Sequence, residues 1–484
     1  MAAVAPPAAT EAVGLPGDFL PSTLPRRDLE RMAAYRRNLD FYRGDQWETR
    51  SRGRQLVFNY ARVAVDKVTS YLVSGLGSAC YPEDPAAAHD PAVKARIDRA
   101  EALLQRVRDE NGLDALDYET EVDCAVLGDG CYKVTWDADA GRIRVTAPSI
   151  SGLYAWWHGD DPSHVWRVAS RYRLSREDLA ALHGIAIPRR EAHVTELWTA
   201  AELALYVDDA LVERKANPYG FIPFVIFPNL REPKQFWGVS DIPALVEPQR
   251  ELNRAVTQLS RILEFSGNPI AVLENVDSAE DIQTRPGQTW ALPEGARAYL
   301  LDLLQGGGVR LHIDYIEAVY RTLHDLSETP RAAYGGTDKD LSGAALAMEM
   351  NSLLQKVGRK RAIRGAVYHR RDAMILALAG RYMGLDVSGV THRTTWGPVL
   401  PEDSTRMAQE EQGLVQAGIH SRRTAMDRLG VRSPDAEFRL WCDERARILD
   451  MNREYRVKTP TGAAGASPGY GVGELAREAR GLEG

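Results

Sequence analysis

The side chains best able to do chemistry in this sequence form a run of cations near its middle. The run contains no acidic residue and comprises Lys356, Arg359, Lys360, Arg361, Arg364, Arg370 and Arg371. Cations at this density can contact phosphates, form ion pairs with a neighbouring subunit, or lie on a solvated helix face. Helical spacing spreads them around the axis, so only some can face one ligand; the candidates are Lys356, Arg359, Lys360 and Arg364.

Sequence signatures of catalysis are missing. No GxxxxGKS or GxxxxGKT phosphate loop occurs, and the glycine-rich strings LGDGCYK and LQGGGVR lack its spacing. There is no HExxH zinc motif and no GxSxG nucleophile elbow. The cysteines form no CxxC pair and are interpreted as small, reduced, buried thiols: Cys80, Cys124, Cys131 and Cys442. The sequence therefore predicts no enzyme, no catalytic residue, no metal and no cofactor.

A second candidate element is a glycine-rich segment between two helical stretches. It consists of Gly335, Gly336, Thr337, Asp338, Lys339 and Asp340. Because glycine is costly inside a helix, the segment is predicted to be a loop. Both a plain connector and a mobile functional element fit this pattern.

Composition limits what these elements can do. The chain has 484 residues and a formal net charge of -7, from 60 basic and 67 acidic residues. A protein that holds nucleic acid tightly usually has a basic face or a high pI, so any DNA contact should be local or weak. The start of the chain lacks the pattern of a secretory signal, and the apolar run at 373–379 is too short to span a bilayer. We therefore expect a cytosolic protein when it is made, with no membrane contact.

The periodicity of apolar residues predicts an α+β protein. Helices are expected at 26–43, 60–73 and 91–110, followed by a β-rich block over about 130–230. The block starts with a hairpin, in which CYKVTW and RIRVTA alternate around a DADAG turn. Ser175, with an acidic residue three positions later, predicts the N-terminus of one short helix within the block.

Two helices in the second half carry narrow apolar stripes. The stripe residues are Leu252, Val256, Leu259 and Leu263 in the first helix, and Ile313, Ile316 and Tyr320 in the second. The helices are expected to pack as an antiparallel pair, with residues 266–308 as a knob at the tip. A long helix is predicted over 342–383, and further helices over 402–457.

Several stretches, in this order, resemble the portal proteins of siphophage-type tailed bacteriophages. They are YRRNLDFYRGDQ (35–46), NYARVAVDKVTSYLVSG (59–75), VLGDGCYKVTWDADAGRIRV (126–145), NPYGFIPFVIFPNL (217–230), WGVSDIPALVEPQRELNRAVTQ (237–258), SETPRAAYGG with LSGAALAMEMNSLLQK (327–356), and AGIHSRRTAMDRLGV (417–431). The strongest part combines G-x-S-D, just before an Asn-bearing helix, with the later T-P and S-G-x-A-L strings. The resemblance covers roughly residues 26–450.

The resemblance implies a portal fold with a mixed α/β wing, an antiparallel helical stem, a small α/β clip, a long tunnel helix and a helical crown. By position, the segments are a flexible arm (1–25), the wing (26–240), stem helix one (241–265), the clip (266–308), stem helix two (309–329), the tunnel loop and long helix (330–385), the crown (386–457) and a flexible tail (458–484). The glycine-rich segment would be the tunnel loop, and the two apolar stripes would form the stem seam.

The resemblance also implies a function and partners. Such proteins form a ring, usually of twelve subunits, at one capsid vertex of the virion, and double-stranded DNA passes through the ring during packaging and ejection. The implied partners are further copies of the chain, the terminase large subunit, head-completion or adaptor proteins, and the major capsid and scaffold proteins. DNA contact would be transient and independent of sequence.

Two other interpretations remain open at this point. One is a different virion structural protein, such as an adaptor or capsid subunit. The other is a phage-encoded enzyme such as a nuclease, against which the missing acidic, histidine and metal motifs argue.

Overall fold

Antiparallel sheets occupy the middle of the chain, where the sequence predicts a β-rich block. A computed structural model describes residues 21–49, 53–267, 271–275, 294–300, 308–335, 343–399, 404–431 and 434–458. Its strands are β1 (Gly77–Pro82), β2 (Asp129–Asp137), β3 (Arg142–Thr146), β4 (Leu153–His158), β5 (Asp161–Ser175), β6 (Glu191–Thr199), β7 (Glu202–Val207), β8 (Ala210–Ala216), β9 (Phe224–Pro228), β10 (Ala271–Glu274), β11 (Arg297–Leu300) and β12 (Val390–Thr395). The mixed α+β class is therefore confirmed.

The predicted hairpin is present as β2 and β3. Val134 lies opposite Val145 and Trp136 opposite Ile143, so the alternating residues pair on one face. Strand β9 pairs with the other edge of β2, which gives a three-stranded sheet in the order β3-β2-β9. A second sheet has the order β4-β5-β6-β7-β8, and every strand pairs antiparallel with the next one in the chain.

The helices, like the strands, begin and end near the signals in the sequence. They are α1 (Leu24–Arg27), α2 (Leu29–Arg43), α3 (Tyr60–Leu72), α4 (Pro91–Asn111), α5 (Leu113–Leu127), α6 (Arg176–His183), α7 (Pro243–Gly267), α8 (Gly308–Ser327), α9 (Gly343–Glu349), α10 (Asn351–Met383), α11 (Ser404–Gln416), α12 (Arg422–Arg428) and α13 (Pro434–Lys458). The Ser175 hydroxyl accepts a hydrogen bond from the amide of Asp178, which confirms the predicted start of α6.

Two features of the fold are absent from the predictions. Helix α5 follows α4 after a single residue, Gly112, and leads directly into β2. Strands β1 and β12 form a two-stranded antiparallel sheet in which Cys80 lies opposite His392. The segment after the long helix, which the resemblance assigns to the crown from residue 386, therefore begins with a strand that pairs with β1.

Helices α7 and α8 pack against each other and run in opposite directions. The Gln249 side chain, near the start of α7, accepts a hydrogen bond from the amide of Ala61 in α3. Tyr320, near the end of α8, contacts the ring of Tyr60 in α3 with 4.9 Å between ring centroids. Because the start of one helix and the end of the other meet the same part of α3, the predicted antiparallel pair is confirmed.

The long helix predicted after residue 342 is divided in two. Helix α9 ends at Glu349, and α10 runs from Asn351 to Met383 against the three-stranded sheet. Its buried residues, among them Tyr368, Ile375 and Leu378, share a core with Tyr132 of β2 and with α4. Helix α10 is therefore the central element of the first compact unit, Met1–Val399.

The second compact unit, Leu400–Gly484, contains α11, α12 and α13. Helices α11 and α12 are separated by a break, where Gly418 has a φ of 71°. The Ser421 hydroxyl accepts a hydrogen bond from the amide of Thr424 and begins α12.

Candidate functional site

The cations of α10 lie mainly on its buried side. Lys356, Lys360, Arg364 and Arg371 are 6%, 1%, 0% and 2% exposed. Their spacing of four, four and seven residues places them along one face of a helix. The carboxylates that balance them are Asp241, Glu121, Asp117 and Asp372. Four buried cations thus face four carboxylates within one subunit, and we call this arrangement the ion-pair column.

Asp241 is the carboxylate at one end of the column. It lies 2.5 Å from the Lys360 ammonium and 3.4 Å from that of Lys356. Burial alone would raise the pKa of Asp241, but the two ammonium groups outweigh burial and lower this pKa to about 2. The Lys356 ammonium also donates to the Ser327 carbonyl at the end of α8, at 2.9 Å. One cluster therefore joins the segment before α7, the end of α8 and the start of α10.

Arg364 occupies the middle of the column. Its guanidinium donates to both oxygens of Glu121, at 2.8 and 2.9 Å, and to the carbonyls of Pro228 and Asn229. Burial opposes the charge, but Glu121 outweighs it and holds the pKa of Arg364 above its usual value. This bidentate pair, together with the two carbonyl contacts, fixes α10 against α5 and β9. Removing either charged partner would leave the other buried without a counter-charge.

Arg361 and Arg359 have different partners from the column. Arg361 donates to the carbonyls of Tyr71 and Leu72 at the end of α3, where a cation favours the helix dipole. Arg359 is half-exposed and donates to both carboxylate oxygens of Glu328, at 2.7 Å each. Glu328 itself has a φ of 54°, so it forms a left-handed turn directly after α8.

These positions correct the expectation for the basic run. Lys356, Lys360 and Arg364 do not form a solvated face, and they are buried against carboxylates of their own subunit. Arg359 is the candidate of the four that stays accessible, and its charge is balanced by Glu328. The sequence did not reveal this burial because the acidic partners come from elements that are far away in the chain.

Two glycine-containing strings of the resemblance, VLGDG with Gly128 and WGVSD with Gly238, lie in contact with each other. The carbonyl oxygen of Gly128 would lie 2.4 Å from a β-carbon added at Gly238, so a side chain there has no room. Between them, the Asp129 carboxylate accepts from the Gly238 amide at 2.7 Å and from the Tyr35 hydroxyl at 2.6 Å. Burial raises the pKa of Asp129 to about 6, although both hydrogen bonds oppose the shift.

Asp129 is therefore expected to make stability depend on pH. A carboxyl group whose pKa rises from 3.8 to about 6 on folding stabilises the fold below pH ~4, and this contribution is lost as the pH rises through 6. Replacing Asp129 by Asn removes the titration. The unfolding free energy of the variant should therefore rise relative to that of the wild type by about 2 kcal/mol as the pH increases from 4 to 7. Urea unfolding at several pH values measures the difference. Asp139→Asn, in the exposed hairpin turn, is the control, and difference curves that are flat for both variants would contradict the assignment.

The helix that follows the G-x-S-D motif has a polar side that holds the segment before α3. The Asn253 side chain accepts from the Phe58 amide at 2.9 Å, and Thr257 accepts from the Leu56 amide at 3.1 Å. Asn253 also donates to Gln46 at 2.7 Å. Gln46, Leu56 and Phe58 are thereby held against α7, which explains why amide side chains recur on this helix.

The apolar stripes of α7 and α8 differ in exposure along their length. Leu252 is buried, and Val256, Leu259, Ile316 and Tyr320 are partly buried. Towards the other end, Leu263 is 51% exposed and Ile313 is 45% exposed. Leu311 and Tyr315 of α8 are exposed as well. The predicted seam therefore lies partly between the two helices and partly on the surface of the subunit.

The glycine-rich segment can be placed only at its first residue. Gly335 has a φ of 80° and ends the turn at Arg331–Tyr334. Gly336, Thr337, Asp338, Lys339 and Asp340 lie outside the described residues. Just before this turn, the Nδ1 of His324 donates to the Thr329 carbonyl at 2.6 Å.

Sequence reasoning missed the acidic half of the ion-pair column. Asp117, Thr120, Glu121 and Cys124 recur at helical spacing on the buried side of α5. A signal was available, since Asp117 and Glu121 lie about one helical turn apart and their partners, Arg371 and Arg364, lie about two turns apart. Because the helices were predicted from stripes of apolar residues, helix α5, whose inward face is polar, was not predicted.

The described residues contain no cluster of three or more His, Cys, Asp or Glu side chains that could hold a metal ion. In the same part of the chain, no helix combines the length and hydropathy needed to cross a membrane. Cys80, Cys124 and Cys131 are buried thiols, and Cys442 is exposed.

Comparison with known families gives a match to a family of phage proteins. The model described as phage portal protein, SPP1 Gp6-like, matches residues 22–450, which is most of the chain. A search of the curated proteins finds no match.

Proposed function

Because the chain belongs to the phage portal protein family, SPP1 Gp6-like, we propose that it forms the closed ring through which DNA enters and leaves the capsid. Membership of this family makes it a structural protein of the bacteriophage, acting in DNA packaging and as head-to-tail connector. The ring would have about twelve subunits at one capsid vertex and would assemble in the host cytoplasm.

The observation that carries the proposal is the exposed part of the α7–α8 stripe. Leu263, Leu311 and Ile313 are large apolar side chains that a single subunit leaves in contact with water. Contiguous exposed apolar surface is typical of protein contacts. A ring requires two different faces on each subunit that meet under rotation, and the helical pair supplies one of them. In this arrangement α7 and α8 are the stem.

The charged side chains of the helical pair suit a passage for DNA. Arg254 pairs with Glu251 at 2.6 Å, and Arg310 pairs with Asp314 at 3.0 Å. Each pair lies on one helix at a spacing of three or four residues. Since free cations release counterions and hold phosphates, paired cations reduce the friction that a moving duplex would meet.

The remaining assignments follow the positions in the family. Residues 26–240 would form the wing, 266–308 the clip that meets the terminase large subunit and later the adaptor proteins, and 402–457 the helical part of the crown. Residues 331–341 would form the tunnel loop, in which Lys339 or its neighbours would touch the passing DNA. The fixed turn at Glu328 and the α10 contacts would hold both ends of this loop.

Electron microscopy of the purified protein tests the proposal. We expect closed rings with a central channel, alone or after co-expression with the capsid and scaffold proteins, because the exposed stripe needs a partner. Sedimentation velocity gives the mass of the ring. A protein that remains a monomer at micromolar concentration, and also fails to enter capsids when the capsid and scaffold proteins are present, would contradict the proposal.

A further inference from the structure

A groove of about 420 Å³ lies on the first unit, away from the α7–α8 pair. Strand β5, strand β9 with the segment after it, and α10 form its walls. Most of the residues that line the groove are apolar, and Trp166, Ile222 and Phe236 remain partly exposed. The groove is thus open to solvent and presents apolar side chains together with polar atoms.

Two arginines supply the formal charge of this groove. Arg231 and Arg370 are exposed, and neither forms an ion pair or a hydrogen bond with another described residue. None of the described residues that line the groove is Asp or Glu. On α7 and α8, by contrast, the exposed Arg254, Arg310 and Arg321 each have a carboxylate partner. Unpaired cations beside aromatic side chains fit an acidic and apolar peptide segment.

We propose that the occupant of this groove is the N-terminal arm, residues 1–20, of this chain. The arm contains Glu11 and Asp18, has no Lys or Arg, and carries apolar side chains that include Val13 and Leu15. Its charges therefore complement those of Arg231 and Arg370, and its apolar side chains match the walls. The proposal does not depend on the ring and goes beyond the role of the chain as a portal.

The point where the described chain begins is close enough for this contact. The Pro21 carbonyl accepts a hydrogen bond from the Arg171 guanidinium at 2.7 Å. Arg171 belongs to β5, and Trp166 of the groove lies five residues earlier on the same strand, a separation of roughly 16 Å at ~3.3 Å per residue. The ten residues from Pro21 back to Glu11 span up to about 33 Å when extended, so Glu11 can reach the groove of its own subunit.

Photo-crosslinking in the full-length protein tests the proposal. Trp166 is replaced by the photo-reactive amino acid benzoylphenylalanine, and the cross-linked peptides are identified by mass spectrometry. We expect cross-links to residues 1–20. The double variant Arg231→Glu and Arg370→Glu should lower their yield at least about fivefold, since two surface ion pairs are lost. Adding Glu11→Arg and Asp18→Arg to that variant should restore the yield.

The matched control is Arg214→Glu, which changes an exposed arginine on β8 outside the groove and should leave the yield unchanged. Restoration by the second pair of reversals separates a charge contact from a folding defect. Three outcomes would overturn the proposal. They are the absence of a cross-link to the arm, a cross-link yield that does not change when the charges at Arg231 and Arg370 are reversed, and cross-links to another segment or another protein instead.

Discussion

Replacing Asp241 by Asn should lower the free energy of unfolding of the first unit by about 3–5 kcal/mol. Asn keeps the size of the side chain and one acceptor but removes the charge that balances Lys356 and Lys360. Both lysine side chains are buried, with 7% and 1% of their surface exposed, so water cannot replace the carboxylate. Urea unfolding followed by tryptophan fluorescence at pH 7 measures the loss.

Adding Lys360→Met to Asp241→Asn should recover a large part of this loss. An apolar side chain of similar length removes the more deeply buried of the two uncompensated charges, and buried ion pairs can be replaced in this way at little cost. The control is Asp209→Asn in an exposed turn, which should change stability by less than ~0.5 kcal/mol. If Asp241→Asn unfolded with the same urea midpoint as the wild type, the column would not stabilise the fold.

The same carboxylate predicts a response to acid. The pKa of Asp241 is lowered from 3.8 to about 2 in the folded chain because the neighbouring ammonium groups outweigh burial. A lowered pKa stabilises the fold above the unfolded value and loses that effect as the pH falls towards 2. The difference in stability between the wild type and Asp241→Asn should therefore shrink below pH 4.

Replacing Leu259 and Leu263 together by Asp should abolish ring formation. Leu263 is half-exposed and Leu259 is partly buried in the single subunit, so the subunit itself is expected to fold. In a ring, each interface would have to bury carboxylates in an apolar contact, at a cost of several kcal/mol per interface. Sedimentation velocity and electron microscopy should show monomers under conditions in which the wild type forms rings.

Gln258→Asp is the matched control, because it adds a carboxylate to an exposed position on the same helix and lies outside the apolar stripe. Circular dichroism of the double variant tests whether the subunit has folded. If the double variant formed rings in normal yield, the α7–α8 stripe would not be the seam, although the family assignment would stand.

Elements with strong local signals were predictable from the sequence. The hairpin of β2 and β3 follows from alternation around a turn, and α6 follows from its capping serine. Strands β1 and β12 were not predictable, since Cys80 pairs with His392 across more than half of the chain. Helix α5 was missed because Asp117 and Glu121 make its inward face polar.

The cations of the candidate site were predicted from the sequence, but the prediction of their surroundings was wrong. The spacing of Lys356, Lys360 and Arg364 on one helix face was visible in the sequence. Their partners were not, because Glu121 lies 243 positions before Arg364 in the chain. A run of cations without local acidic residues is therefore as compatible with a buried network as with a surface patch, and long-range pairing decides between them.

The ion-pair column also restricts how this protein can diverge. A single change at Asp241, Glu121, Arg364 or Arg371 leaves a buried neighbour without a counter-charge, which is strongly destabilising. Related chains should therefore alter these positions in matched sets, exchanging a cation and its carboxylate together for two apolar side chains. Grafting α10 into another scaffold would fail unless α5 and the segment around Asp241 were transferred with it.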